Sequence, residues 1–364
     1  MMENTISTRR RDPVVDVIRG IGILLVVVGH SGTNFWRFIY LFHMPLFIML
    51  SGYLYRVSDL KKTIKNKVVR LWVPFVAFNT FFTIFHNLFL KLHYISGNAD
   101  TTENGTITLK DVVGRTIHWC LLDGGTQLGG VMWFFKTLFQ VSIMYAIIDL
   151  LLKRWFEGDK LLFVQTVFAF VTLWAGWMMH IRNWNPWGMG IVCSSYILYH
   201  LGVIAQNLHF QLKEKKSLMW LGAVSISFAI LLILNAGGGI VLLGENTYPN
   251  PMFLLLCSII GWVYVYSMAQ ILVEFPAIGG ALAFLGRHTI WVAALHFLAF
   301  KLVTTIGLMI SGGDVYCRET FPFYFTGSLW PLVYTVVGVA FPLLSEIVWQ
   351  KACGRLIQVF RRKV

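Results

Sequence analysis

Charge is what this sequence has least of. Of its 364 residues only 13% are charged, where an ordinary globular chain carries about 25%. That shortage excludes a soluble enzyme with a charged coat, and a hydrophobic content of 57% excludes disorder. Acidic residues are the scarcer kind, 17 against 30 Lys and Arg. A basic excess marks a nucleic-acid partner only when the charges gather on one domain; here they lie between apolar runs, so no nucleic acid is read as a partner. Cysteine is sparse as well, and five Cys do not make a disulfide framework. Cys193 and Cys257 fall in apolar stretches, while Cys120 and Cys317 fall in two loops on one side, where a single bridge stays open. There is no HExxH, no paired-Cys motif and no cluster of acids, hence no metal site, and no Walker or dinucleotide glycine fingerprint. Internal repeats and low-complexity tracts are also missing.

What the chain does have is apolar run after apolar run, with a mean hydropathy of +0.67. A bilayer core needs about 20 apolar residues per helix. That ruler predicts an all-α polytopic membrane protein of about ten transmembrane helices, at roughly 14–31, 35–55, 71–91, 129–152, 161–180, 187–206, 218–236, 252–273, 281–308 and 328–350. The ninth is long enough to need tilt or a break. Basic residues set the orientation. Arg9, Arg10 and Arg11 precede the first span. Arg56, Lys61, Lys62, Lys65, Lys67 and Arg70 follow on the same side, then Lys153, Arg154 and Lys160, then Lys213, Lys215 and Lys216, then Lys351, Arg355, Arg361, Arg362 and Lys363. The opposite side holds Lys91, Lys110, Arg115, Arg182 and Arg318. Both termini are therefore expected in the cytoplasm. The organisation reads as a cytoplasmic segment 1–13, one membrane domain 14–350 and a basic cytoplasmic tail 351–364. The first span carries Arg19 and is followed by no small-x-small site, so it is not a cleaved signal peptide. An external loop, 92–128, contains the sequon Asn104-Gly-Thr106, and its second half, Leu109 to Leu122, reads as a short amphipathic helix on the membrane surface.

An ionisable group inside a span is a functional candidate by default. The first span has two. In DVIRGIGILLVVVGH, Arg19 and His30 are eleven residues apart, about three turns, so they share a face and stand roughly 16 Å apart along the axis. Asp16, three residues before Arg19, is placed to pair with it. The plainer alternative is that Arg19 snorkels to the interface and His30 merely ends the helix. The second span, FHMPLFIMLSGYLY, puts His43 at mid-depth, Pro45 as a kink and Ser51 toward the cytoplasm. Two neighbouring helices thus aim polar groups at different depths of one cleft. Trp133 reads as a cleft wall or an interfacial anchor, Lys136 as facing the acceptor or snorkelling outward, and His296 as part of a mid-depth polar cluster or a helix–helix hydrogen bond. His86, His180 and His200 lie near span ends and read as interfacial.

These residues carry a resemblance. The Arg and His of the first span followed by FHMPLF and SGY of the second are similar to the acyltransferase-3 family of integral membrane acyltransferases, in particular its fucose O-acetylase-like sugar acetyltransferases. KVVRLWVPF, GVMWFFKTLF and LGRHTIWVAALH resemble later segments of that family, so the likeness runs along most of the chain. It implies a multi-pass protein of the bacterial inner membrane that moves an acetyl or other short acyl group from cytoplasmic acyl-CoA, a co-substrate with no resident cofactor, to a hydroxyl of a cell-surface glycan or its lipid-linked precursor. The family's essential Arg and His fall on Arg19 and His30, and its cytoplasmic Arg-x-x-Arg falls on Lys67 and Arg70. Lys67 departs from that pattern, because an ammonium cannot make the bidentate phosphate contact of a guanidinium.

In this reading His30 is the general base toward the sugar hydroxyl or an acyl relay. Arg19 holds donor phosphate or polarises the thioester carbonyl, and the basic loop ending at Arg70 takes the nucleotide end of the donor. With no soluble domain after the tenth span, the transfer is expected to fall to the membrane domain. The competing class is a secondary transporter or a flippase for lipid-linked glycans. Against it stands the want of any half-to-half repeat or matched pair of broken helices. Oligomeric state is left open.

Overall fold

The computed structural model describes residues 12–56, 59–96, 105–212 and 217–361, the side chains of 209–212 and 354–361 excepted. Most of the basic termini (Arg9, Arg10, Arg11, Arg362, Lys363 and the side chains of Arg355 and Arg361), Lys213, Lys215 and Lys216, and Asn104 of the sequon lie outside the described residues. Within them the chain is helical, with an isolated two-residue bridge between Leu242 and Thr247 in place of any sheet. Among the described residues nine helices are long and apolar enough to cross a membrane. They are Pro13–His30, Leu60–Ile84, Gly130–Leu152, Gly158–Ile181, Pro186–Leu208, Ser217–Ala236, Pro251–Leu272, Thr289–Ser311 and Trp330–Cys353. Each answers to one of the spans read from the sequence.

The exception is the second span, which is two helices and not one kinked helix. After α1 (Pro13–His30), α2 (Trp36–Tyr40) is a single turn and a half, and α3 starts afresh at His43–Tyr53. Pro45 explains the break. A proline has no N–H to give the carbonyl four residues back, and its ring clashes with that carbonyl. The helix therefore cannot run through Leu41, and it restarts with Pro45 in the first turn, where the missing N–H costs nothing.

The third span shows a softer version of the same effect. α4 (Leu60–Lys67) passes into α5 (Val73–Ile84) through a π-helical turn, Val68–Trp72. Pro74 follows Arg70 by four residues, and the wider turn relieves that conflict without ending the helix. Arg70 rides on the bulge. α6 (His86–Lys91) leads into the loop that ends at α7 (Leu109–Cys120), the expected amphipathic helix. Thr108 and Asp111 form a reciprocal capping box there, and the Thr108 amide and hydroxyl hold the Asp111 carboxyl below the usual carboxylate range.

α8 (Trp133–Leu152), α9 (Gly158–Ile181), α10 (Met189–Leu212), α11 (Ser217–Ala236) and α12 (Pro251–Leu272) follow as long helices. The long ninth span breaks at His288, giving α13 (Pro276–Arg287) and α14 (Thr289–Ser311), before α15 (Trp330–Arg361) closes the chain. All five cysteines are free thiols, Cys120 and Cys317 included.

In a membrane, helices associate by close packing of small residues, since lipid offers no hydrophobic drive. Two crossings use this. A Cβ on Gly52 of α3 would run into the Tyr199 carbonyl of α10, and one on Gly202 of α10 into the Met49 carbonyl of α3. Likewise Gly20 of α1 faces the Leu282 carbonyl, and Gly286 of α13 faces the Asp16 carbonyl. These contacts seat the short α3 and α13 against the long helices α10 and α1. Because the obstacle is backbone, Gly202→Val should cost at least about 2 kcal/mol and lower the melting temperature of purified protein. An unchanged melting temperature would contradict the crossing.

Candidate functional site

Two cavities lie along α1, one at the level of Arg19 and one at the level of His30. The first, about 570 Å³, is cationic. Arg19, Arg56, Lys67, Arg70 and Arg287 all line it, with Ser51, Tyr55 and Tyr199 between them and, among the described residues, no acidic side chain on the wall. Its charges are held in place. Arg19 donates to the buried Asp16 at 3.3 Å, and Arg287 reaches the same carboxylate at 3.8 Å. Lys67 donates to Ser51 Oγ at 3.2 Å and lies over the Tyr199 ring. The Tyr55 hydroxyl donates to Asp149, which also accepts from Lys153 and Gln165. Five cations against one buried partner leave a surplus of positive charge, which suits a polyanion.

The second cavity, about 310 Å³, is lined by His30, Tyr40, His43, Met44, Trp133 and the turn Leu243–Glu245. His30 donates through Nδ1 to the Val26 carbonyl at 2.8 Å, and His43 through Nδ1 to the Ile39 carbonyl at 2.9 Å. A carbonyl only accepts, so each Nδ1 carries a proton, and in the neutral ring Nε2 is the lone-pair nitrogen. His296 repeats the pattern, with Nδ1 donating to Val292 and Ala293 and its buried Nε2 unpartnered among the described residues. Its ring stands 5.3 Å from that of His30, and Tyr40 sits 4.7 Å from His43 and 5.9 Å from His30. The fold thus brings three histidines from three helices together, although His296 itself does not line the cavity.

A thin aromatic wall separates the two spaces. Met44 and Trp133 face the histidine cavity, while Phe47, one turn further along α3, and Phe134, the next residue of α8, face the cationic one. The Phe47 and Phe134 rings meet at 5.6 Å, and Trp133 stands edge-on to Phe134 at 6.0 Å.

Of the sequence candidates, Asp16, Arg19, Ser51, Lys67 and Arg70 come together at the cationic end, and His30, His43, Trp133 and His296 at the other. Lys136 joins neither cavity; it lies beside Gly188 at the start of α10. His86 and His200 are buried within the protein, His86 bonded to the Gly105 carbonyl and His200 held between Tyr145 and Thr166.

An all-helical, multi-pass membrane protein with a cationic cavity at one end of a helix and a histidine cavity at the other is the class that fold and site define. This chain belongs to the acyltransferase-3 family: it matches that family's Acyltransferase domain over residues 12–347. It is therefore an acyltransferase and an integral membrane protein, not a transporter or flippase. Two relatives are both named Nodulation protein NolL. The one from Mesorhizobium japonicum is 28% identical over 381 residues, covering 93% of this chain and 86% of that protein. The one from Sinorhizobium fredii is 36% identical over 85 residues, covering 19% of this chain and 23% of that protein. No solved structure matches.

Sequence reasoning missed several residues of the region. Arg287 stands next to Gly286 in LGRHTIWVAALH and gave no signal of its own, and Tyr40 and Glu245 are ordinary residues in the sequence. Lys301 did give a signal, as a lysine inside an apolar span. It is buried in α14 and donates to the Arg318 and Thr320 carbonyls at 2.6 and 2.8 Å, pinning the segment before α15. Lys301→Met keeps the stem and strands both carbonyls, a loss of about 1–3 kcal/mol. Limited proteolysis should then cut within 315–321 faster than in the wild type; an unchanged rate would remove the pinning role.

Proposed function

We propose that the chain moves an acetyl or similar short acyl group from acyl-CoA to a hydroxyl of a cell-surface glycan or its lipid-linked precursor, at the inner membrane of a bacterium. The observation that carries this reading is the pairing of a five-cation cavity with a histidine cavity, with the Phe47, Phe134 and Trp133 rings between them. The nucleotide phosphates of the donor suit the first, where guanidinium groups make charge-assisted hydrogen bonds. The pantetheine arm then passes Phe47 and Phe134, carrying the thioester to His30.

Distance supports a donor-binding role for Arg19. At about 1.5 Å per residue it stands roughly 16 Å from His30 along α1, whereas a hydrogen bond spans about 3 Å. One carbonyl cannot touch both. Arg19 therefore grips the donor, with Arg70 and Lys67 beside it, and the oxyanion is left to donors nearer His30, of which the Trp133 indole N–H lines the cavity.

His30 Nε2 takes the proton of the acceptor hydroxyl as its oxygen attacks the thioester carbon. The tetrahedral oxyanion collapses, the C–S bond breaks, and the proton passes to the leaving thiolate. In the relay version Nε2 attacks first, the thiolate leaves, and the hydroxyl then opens the acyl-imidazole while its proton ends on the thiol. Trapping of radiolabelled acyl-protein in the absence of acceptor distinguishes the second route from the first.

Purified His30→Ala protein should release CoA at least about 100-fold more slowly than wild type in the presence of acceptor; full activity would end the proposal. Arg70→Ala should raise the KM for acyl-CoA about tenfold, the loss of a charged hydrogen bond, with the acceptor KM unchanged. Equal loss for both substrates would mean that Arg70 supports folding and not the donor.

A further inference from the structure

His30 borders one more space that the transfer above leaves unused. A groove of about 710 Å³ shares only His30 and Tyr40 with the histidine cavity. Its walls are the turn and short helix after α1 and the segment before α15. Trp36 and Phe323 supply aromatic faces, and Thr33, Asn34, Thr326 and Ser328 supply hydroxyl and amide groups. Among the described residues no Asp, Glu, Lys or Arg lines it.

Both walls are braced. Trp36 stands edge-on to Tyr40 at 5.6 Å, and the neighbouring Arg37 donates to the Gly238 carbonyl at 2.8 Å, fixing α2. Across the groove, the amides of Tyr324 and Phe325 donate to the Tyr334 hydroxyl, and Lys301 holds the carbonyls just before. Gly32, at φ +86°, lies against the Phe323 ring and leaves no room for a side chain.

We propose that this groove is the acceptor subsite and that its ligand is a neutral pyranose ring. Each alternative fails on the lining. A charged head group would find no counter-charge and would be desolvated without repayment. A lipid chain would cover the polar side chains of Asn34, Thr326 and Ser328 and offer them no partner. A pyranose has an apolar C–H face for Trp36 and hydroxyls for Asn34, Thr326 and Ser328, and the hydroxyl that turns toward the shared His30 is the one acylated. The contrast with the cationic cavity then has a meaning: the charged substrate enters one end of α1 and the neutral one the other. This inference rests on the acyl-transfer reading above.

The test uses full-length protein in nanodiscs with methyl gluco-, galacto- and fucopyranosides as probes, read in two ways. Saturation-transfer NMR reports binding without turnover, and CoA release reports transfer. In Trp36→Ala and Asn34→Ala the half-saturating pyranoside concentration should rise about three- to tenfold, the usual worth of an aromatic or polar contact. Trp36→Phe should restore most of the loss, and the KM for acyl-CoA should stay within about twofold of wild type. Pyranoside binding to the wild type without CoA release would overturn the transfer reading while keeping the subsite. Transfer that Trp36→Ala and Asn34→Ala leave unchanged would overturn the subsite while keeping the transfer. No binding of any pyranoside overturns the subsite outright. So does loss of bound phospholipid from Trp36→Ala with pyranoside binding intact, which would give the groove to a lipid chain.

Discussion

A polar side chain that enters a bilayer must take its partner or its water with it. Much of this structure follows from where that cost is met along α1. At one end Asp16 is buried and shares its single charge between Arg19 and Arg287; at the other His30 satisfies its own Nδ1 on the preceding turn. Between them the helix is Ile, Leu, Val and Gly. The two ends are thus insulated from each other, and each has its own cavity. Removing Asp16 would leave two guanidinium groups short of a buried partner, a loss of several kcal/mol, and would loosen the cationic end as a whole.

The same economy accounts for the broken helices. α3 and α13 are too short to cross a membrane, yet each is seated against a long helix through a glycine-to-carbonyl contact. Their broken ends are where the chemistry-bearing groups sit: His43 at the start of α3, Arg70 on the π-turn, Arg287 at the end of α13. Irregular backbone at membrane depth is tolerated where it lines a cavity, and here it does so.

Much of this was legible in the sequence. Apolar length located the nine long helices among the described residues, the amphipathic pattern located α7, and Arg19 and His30, read as facing one cleft, each border a cavity of their own. Pro45 was read as a kink, but the position of the break four residues earlier follows from the carbonyl it displaces, which a hydropathy ruler does not register. Arg287 was hidden because its role comes from a neighbour distant in the chain, Asp16, and Tyr40 because it meets His43, three residues on, across the break between α2 and α3, which apolar length does not register. For Lys136 a charge inside a span was visible, and the sequence left open which face it takes on α8. Lys301 had the same signal and was passed over, although it braces a wall that ends beside His30.

The central claim is a division of labour: donor phosphates at the Arg19 end of α1, acyl transfer at the His30 end. It is tested most directly in sealed proteoliposomes of known orientation, with acyl-CoA, which does not cross the bilayer, supplied on one side at a time. The account predicts CoA release when the donor is on the side of the α1 N-terminus, and none when it is offered only on the other side. Equal release from both sides, or release only from the His30 side, would contradict it.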